Sequence, residues 1–219
     1  MEIAKLDIDN LSHIGIFVAL GSDFAIVPNI LTESEQKTIE TILNVKCIRY
    51  NIAGSQMNGV MAKLFHNKII LSKICDKEDE DFFRRNNFDV LILDAYFAVG
   101  NLIFTDQEHL ILSKEFDAKT VKKIEEFLCV KAIQYQIADL PAIGSYLIAN
   151  KNGFAVIPAA GTKDIKKIES ILKIKGNIAT INYGDNFIAN GMLVNNNGII
   201  VGRKTTGYEL IRINDIFYS

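Results

Sequence analysis

The 219-residue sequence has little of what several classes of protein require. It contains three cysteines, Cys47, Cys75 and Cys129, which are an odd number at wide spacing, so a disulfide framework is not expected. The formal net charge is −2 at pH 7, which provides no general electrostatic field for holding nucleic acid. Any contact with RNA would therefore have to be local and assisted by protein–protein contact.

Long hydrophobic runs are also missing. The longest mainly apolar stretch, Val90 to Phe104, is interrupted by Asp94 and Asn101 and falls short of the ~20 residues that a membrane-spanning helix needs. The first residues, Met1 to Lys5, have neither the basic start nor the apolar region of a signal peptide. We therefore expect a folded, cytoplasmic protein without a membrane partner.

The residues that most often carry catalysis or bind metals are sparse and scattered. The histidines His13, His66 and His109 fall at a predicted strand start and at two predicted turn tips. No Cys–His spacing indicates zinc, and we expect surface histidines and small buried cysteines. The sequence thus predicts no catalytic residues, no metal and no cofactor.

What the sequence does contain is a repeated unit, seen most clearly between Ile143 and Leu172. An apolar run opens at Gly144, a turn follows at 151–153, and Phe154 to Ile157 provides a second strand. Thr162 can then cap a helix whose apolar residues recur at helical spacing. A unit with one apolar face is not stable alone, which predicts that neighbouring copies cover it.

Five copies of this unit can be followed along the chain, each opening at a glycine. We predict that these glycines are structural and allow backbones to approach closely. Successive opening glycines are separated by 44, 41, 44 and 47 residues, and they are Gly15, Gly59, Gly100, Gly144 and Gly191. We expect a single domain, 1–219, built from repeats at approximately 11–54, 55–97, 98–141, 142–185 and 186–219, the last joined by residues 1–10.

Each predicted unit consists of two strands, a helix and a closing strand. Capping-box patterns at Thr32–Glu35 and Thr206–Glu209 mark the starts of two helices. Closing strands are expected at residues 45–52, 90–93, 130–138 and 178–181. The fifth unit has none, and the strand pattern at 1–10 has no unit of its own. We predict that this N-terminal strand completes the fifth unit and closes a ring, which leaves no exposed end.

The chain resembles archaeal and eukaryotic translation initiation factor six along its whole length. The most specific segment runs from Asn182-Tyr183-Gly184 through 190–195 to 201–210 and is similar to that family's closing signature. Val99-Gly100-Asn101-Leu102 and Ile143-Gly144-Ser145 agree with the same family. The turns at 65–68 and 106–109 depart from its usual Asn- and Gly-containing pattern.

This resemblance implies an α/β pentein fold, a closed ring of five pseudosymmetric ββαβ units around a central channel. It also implies a function in translation and ribosome biogenesis. A factor of this kind binds the large ribosomal subunit at its intersubunit face and keeps the small subunit from joining. The implied partners are a ribosomal protein of that face, with rRNA nearby, and an elongation-factor-like GTPase for release; we expect a monomer.

The residues that follow the opening glycines are predicted to meet at one rim of the ring. The resemblance implies that this rim, and above all its asparagine, docks on the large subunit. The predicted contact residues are Ile16, Val60, Asn101, Ser145 and Met192.

The alternative is a pentein-fold hydrolase or transferase that acts on guanidino groups. Such enzymes use a cysteine nucleophile late in the chain, with a histidine and acidic residues in the central channel. This sequence has no cysteine after Cys129, which favours a protein that is not an enzyme.

Overall fold

The computed structural model describes residues 2–218. They form five three-stranded sheets, and each sheet is an antiparallel hairpin with a third strand parallel to the hairpin's second strand. The sheets contain, in order, Ala19–Leu20, Phe24–Val27 and Lys46–Arg49; Ala62–Phe65, Lys68–Ser72 and Asp89–Leu93; Ile103–Thr105, Leu110–Leu112 and Ala132–Gln134; Leu147–Asn150, Gly153–Val156 and Gly176–Ile178; and Met192–Val194, Gly198–Gly202 and Glu2–Leu6.

A long helix connects the second and third strands of the first four units, and a fifth ends the described chain. These helices span Glu33–Leu43, Lys77–Arg85, Ala118–Leu128, Thr162–Leu172 and Gly207–Phe217. Both predicted capping boxes are confirmed: the Thr32 and Thr206 hydroxyls accept the N–H groups of Glu35 and Glu209, whose carboxylates accept the N–H groups of the two threonines. Each helix buries one apolar stripe, which is why an otherwise charged helix stays on its sheet.

The N-terminal strand closes the ring as predicted. Glu2–Leu6 pairs in parallel with Gly198–Gly202, with Glu2 opposite Gly198 and Leu6 opposite Gly202. The fifth sheet thus takes its third strand from the other end of the chain. The described residues therefore form the predicted five-unit α/β ring.

The hydrophobic core lies between neighbouring sheets and under the long helices. Leu193 and Ile200 of the fifth sheet, for example, pack into the cluster formed by the first unit's Ile39 and Leu43. Phe65 and Ile70 of the second sheet pack with residues of the third unit in the same way. Each unit is therefore stabilised by its neighbour.

Several predicted boundaries are wrong, and the main error concerns the residues around the opening glycines. They form one-turn helices instead of strand starts: Ile14–Phe17, Asn58–Met61, Val99–Leu102 and Ile143–Tyr146, with a 3-10 turn at Ile188–Asn190. A short apolar run has no periodicity that separates a helical turn from a strand. Thr162 is the first helical residue, and Gly161 is the N-cap, with its N–H donated to the Asp164 carboxylate.

The third strands of the first and third sheets are also shorter than predicted, and that of the fourth sheet lies nearer the N-terminus. The third sheet's closing strand is Ala132–Gln134, and the fourth sheet's is Gly176–Ile178. The chain after each continues to a tight turn in which two successive residues have positive φ, Ala138-Asp139 and Asn182-Tyr183. The apolar residues before those turns are buried without being part of a sheet.

The five short helical turns contact one another in a closed circle, and glycine makes this approach possible. A Cβ on Gly59 would overlap the carbonyl oxygen of Gly15, one on Gly100 that of Gly59, and one on Gly144 that of Gly100. A Cβ on Gly15 would overlap the carbonyl oxygen of Ala189. Ala189, and not the predicted Gly191, therefore occupies the fifth position of this circle.

Gly100→Ala should lower the free energy of unfolding by at least about 2 kcal/mol, because the new methyl group meets a backbone oxygen that cannot move independently. Thermal denaturation of the variant measures this loss. Gly207→Ala is the control, since nothing lies within 4 Å of a Cβ there and alanine suits a helix; its effect should be within about 1 kcal/mol. Equal melting temperatures for the two variants would contradict the role of close backbone contact.

Candidate functional site

The two faces of the ring differ in chemistry, and the strand directions define them. The second and third strands of a sheet are parallel and end at one face, where the first strand begins. The one-turn helices and the turns before them lie on this side, which we call the turn face. The hairpin turns lie on the opposite side, which we call the hairpin face.

Most of the large hydrophobic side chains that are exposed among residues 2–218 lie on the turn face. Tyr183 is 84% exposed, Tyr208 is 79% exposed and Tyr96 is 74% exposed. The others on this face are Leu11, Ile30, Met57, Ile74, Leu140 and Phe187. The hairpin face, in contrast, presents polar turn residues such as Asp23, Asn67, Lys151 and Asn196.

The predicted rim residues do not form one exposed surface. Ser145 is 3% exposed and Met192 is 1% exposed, so neither side chain is available to a partner. Ile16, Val60 and Asn101 are partly buried. Because Ala189 replaces Gly191 in the circle of short helices, Asn190 takes the place predicted for Met192.

The residues of the closing signature lie at the seam where the two ends of the chain meet. Asn182 donates its side-chain N–H to the Ser12 carbonyl over 2.7 Å and accepts the Thr205 hydroxyl at 3.2 Å. The Ser12 hydroxyl donates to Asp7 and accepts the N–H of Lys204. These polar contacts fix the fifth unit against the first, so the signature is explained by ring closure.

Glu209 holds the turn that presents Tyr183. Its carboxylate accepts the N–H groups of Tyr183 at 3.1 Å and Gly184 at 2.9 Å, and also the N–H and hydroxyl of Thr206. Tyr183 has φ +69°, a conformation that is uncommon for a residue other than glycine and that needs support from its surroundings. Burial alone would raise the pKa of Glu209, but the N–H groups of Thr206, Gly184 and Tyr183 outweigh it and lower that pKa.

His13 and His109 each pair with an acidic residue. His13 Nε2 lies 2.7 Å from Asp185 Oδ2 and so links the start of the first unit to the turn between the fourth and fifth units. His109 pairs with Asp106 in its own turn. Within 2–218, no group of three or more His, Cys, Asp or Glu side chains is arranged to bind a metal ion.

The ring encloses a central cavity of about 390 Å³. It extends from the circle of short helices to the hairpin turns, and His66 is the histidine that lines it. None of the three cysteines belongs to its lining. Cys47 and Cys75 are buried elsewhere, where burial raises the pKa of each thiol to about 12, and Cys129 is exposed.

Lys63 is a charged residue of the cavity lining that sequence reasoning missed. It is partly buried in the strand Ala62–Phe65, and burial lowers its pKa to about 8. The equivalent positions in the other units lie four residues after Gly15, Gly100, Gly144 and Ala189. All of them are apolar, namely Ala19, Phe104, Ile148 and Leu193. In the first four units the opening glycines fix the alignment, so the contrast of Lys63 with Ala19, Phe104 and Ile148 was visible in the sequence.

The profile of the eIF-6 family matches residues 3–216. The chain belongs to the eIF-6 family. Family membership places it among translation initiation factors and agrees with the resemblance noted from the closing signature. The segment on which the resemblance to this family was noted is thus the one that closes the ring.

Relatives with the same length support this assignment. Translation initiation factor 6 of Staphylothermus marinus is 32% identical over 219 residues, which cover 97% of this chain and 96% of the relative. The protein of the same name from Pyrobaculum aerophilum is 27% identical, with 98% of both chains covered.

Solved structures with a similar fold include enzymes. The N-terminal domain of an ArgZ variant bound to a reaction intermediate matches with a TM-score of 0.56 and 18% identity, covering 76% of this chain and 70% of that one. AgrE in complex with L-arginine matches with a TM-score of 0.58 and 12% identity, covering 85% of this chain and 31% of that one. At these identities the likeness concerns the fold alone.

Membrane insertion has no support in the helices. Across residues 2–218, none of them combines the length and the apolar character needed to cross a bilayer.

Glu209→Gln should destabilise the protein at neutral pH by about 1–3 kcal/mol, because a carboxylate that accepts several N–H groups is replaced by a neutral amide. The lowered pKa means that this contribution is present above pH 4.5, the ordinary value for glutamate, and is lost as the pH falls through the folded-state pKa. Melting temperatures of both proteins should therefore converge below pH 4.5. A constant difference down to pH 2 would contradict the role of the charge.

Lys63→Met should raise the melting temperature at pH 7, because it removes a partly buried ammonium group. In the unfolded chain the lysine has its ordinary pKa of 10.5, and in the folded chain about 8. The penalty is therefore complete below pH 8 and disappears as the pH rises toward 10.5. Lys163→Met, at an exposed position, is the control; a Lys63→Met variant that is less stable at every pH would overturn this account.

Proposed function

We propose that the chain is a non-enzymatic factor of translation that binds the large ribosomal subunit at its intersubunit face. By occupying that face, it keeps the small subunit from joining until it is removed. The observation that carries this proposal is the concentration of exposed tyrosines and aliphatic side chains on the turn face of an eIF-6 family member. We propose this face as the docking surface.

The composition of the turn face suits a protein partner. Aromatic residues and arginine dominate the binding energy of many protein–protein interfaces, and this face carries Tyr96, Tyr183 and Tyr208, with Arg203 exposed near the seam. We infer that the first contact is a ribosomal protein and that rRNA lies at the periphery. The net charge of −2 is consistent with a minor role for phosphate contacts.

The rigidity of the ring supports a mechanism by occupancy. The Tyr183 turn is held by Glu209 and by the Asn182 contacts to Ser12 and Thr205, so little conformational freedom is lost on docking. Ile16, Val60 and Asn101 remain in the proposal as partly buried contacts near this face. We further propose that the protein acts as a cytoplasmic monomer and that an elongation-factor-like GTPase assists its release.

Guanidino-group chemistry has less support. The cavity lining contains His66 but no cysteine, and the buried thiols have raised pKa values that disfavour the reactive thiolate. No observation favours the alternative beyond the shared fold. We therefore propose a binding function for the ring.

Sedimentation of purified archaeal subunits tests the proposal. The protein should move with the large subunit and reduce the fraction of joined ribosomes in proportion to its occupancy. Tyr183→Ala should weaken binding at least about tenfold, because an exposed aromatic anchor is lost, while its melting temperature stays close to that of the wild type.

Two further variants locate the surface. Tyr96→Ala, in the second unit, tests whether the whole turn face docks or only the seam; a loss comparable to that of Tyr183→Ala indicates the whole face. Lys151→Ala, on the hairpin face, is the matched control and should bind normally. Failure of the wild type to remain with the large subunit, or a loss of binding in Lys151→Ala alone, would refute this docking surface.

A further inference from the structure

The central cavity has no part in the proposed docking, yet it has the dimensions of a ligand site. Its volume of about 390 Å³ lies within the roughly 300–1,000 Å³ of small-molecule sites in proteins. The circle of short helices lies at one end, and the hairpin turns that belong to its lining place its mouth on the hairpin face. A ligand could therefore enter while the turn face is covered.

Lys63 gives the cavity a positive charge that is not neutralised by a neighbour. Among residues 2–218, no acidic oxygen lies within salt-bridge distance of its ammonium group, and burial alone accounts for its lowered pKa. A partly desolvated cation without a counter-ion is unfavourable. It becomes favourable when an anion shares the cavity.

Two carboxamides also line the cavity with unused hydrogen-bonding capacity. Asn101 and Asn190 occupy equivalent positions in the third and fifth units. They directly follow Gly100 and Ala189, which belong to the circle of short helices. Their side chains make no hydrogen bond to any described residue. Each amide offers two N–H donors, which suit the oxygens of an anion bound in the same cavity.

The acidic residues of the lining lie at the mouth of the cavity and are partly occupied within their own turns. Asp106 accepts the N–H groups of Glu108 and His109 and pairs with the His109 ring. Asp23 accepts the Ser22 hydroxyl. Glu108 is exposed. The imidazole of His66 lines the same end of the cavity. Among the described residues, none of these carboxylates forms an ion pair with Lys63, so its charge is left for an anion.

We propose that the central cavity binds the phosphate or carboxylate group of a small molecule. Lys63 forms the ion pair, and the Asn101 and Asn190 amides donate to the remaining oxygens. This site shares only Asn101 with the residues named in the ribosome proposal, and it is otherwise formed by the interior of the ring and its opening on the hairpin face.

NMR titration of the lysine side-chain methylene signals measures the pKa of Lys63 directly. The Lys63→Met variant assigns the signal by its disappearance. In the presence of saturating inorganic phosphate, or of succinate, the pKa of Lys63 should rise by at least one unit relative to chloride at the same ionic strength. Phosphate and succinate as separate arms decide which oxyanion is preferred.

A thermal-shift series provides the second measurement. Phosphate or succinate should raise the melting temperature of the wild type and of Lys163→Met by the same amount, and Lys63→Met should lose that increase. Asn101→Ala should retain part of it. An unchanged pKa of Lys63 in both anions, or an equal thermal shift in Lys63→Met and wild type, would overturn the proposal while leaving the subunit-binding test unaffected.

Discussion

The close packing of five helical turns around one axis is the contact on which the rest of the structure depends. At four of the five positions the packing is backbone against backbone, because Gly15, Gly59, Gly100 and Gly144 have no Cβ to hold the chains apart. Sheets that radiate from this circle bury both their faces, one under their own helix and one against the next unit. A side chain at any of these four glycines would overlap a backbone oxygen of the neighbouring turn and force the two units apart.

The same constraint explains why ring closure needs specific polar chemistry. Four junctions between units are continuous in the chain, but the junction between the fifth and first units also joins two distant segments. Its strand pairing from Glu2 to Leu6 is supplemented by the Asn182, Ser12 and Thr205 contacts and by Lys5, which donates to the Thr205 carbonyl. These interactions join residues up to 200 positions apart in the sequence. They therefore hold the two ends of the chain together and contribute little to the stability of any single unit. The closing signature noted in the sequence is therefore part of the segment that completes the ring.

Much of the fold could be predicted from the sequence because its signals are local and repeated. The hairpin turns, both capping boxes and the closing role of the N-terminal strand depend on short patterns that recur. The register of the fifth unit could not be predicted, because Gly191 stands two residues from Ala189, and only the packing of the short helices distinguishes them. For the same reason Met192 was predicted at the rim, although its side chain is buried. Exposure of Tyr183 and Tyr208 depends on where the seam places one turn and the start of the last helix, which no periodicity encodes.

The contrast between the faces follows from how each kind of turn is built. Hairpin turns need Asn, Asp or Gly for their backbone geometry and for side-chain acceptors, as at Asn150 and Asn195, whose oxygens accept N–H groups of the same turn. That requirement makes the hairpin face polar whatever its function.

The turns on the other face are held by backbone contacts and by acidic side chains from neighbouring helices. Asp79, for example, accepts the Ala53 N–H, and Glu209 accepts the Tyr183 N–H. Side chains as exposed as those of Tyr96, Tyr183 and Tyr208 bury little area within the ring, so the stability of the fold does not account for them. Exposed aromatic residues at positions that the fold does not use are the physical argument that the turn face meets a partner.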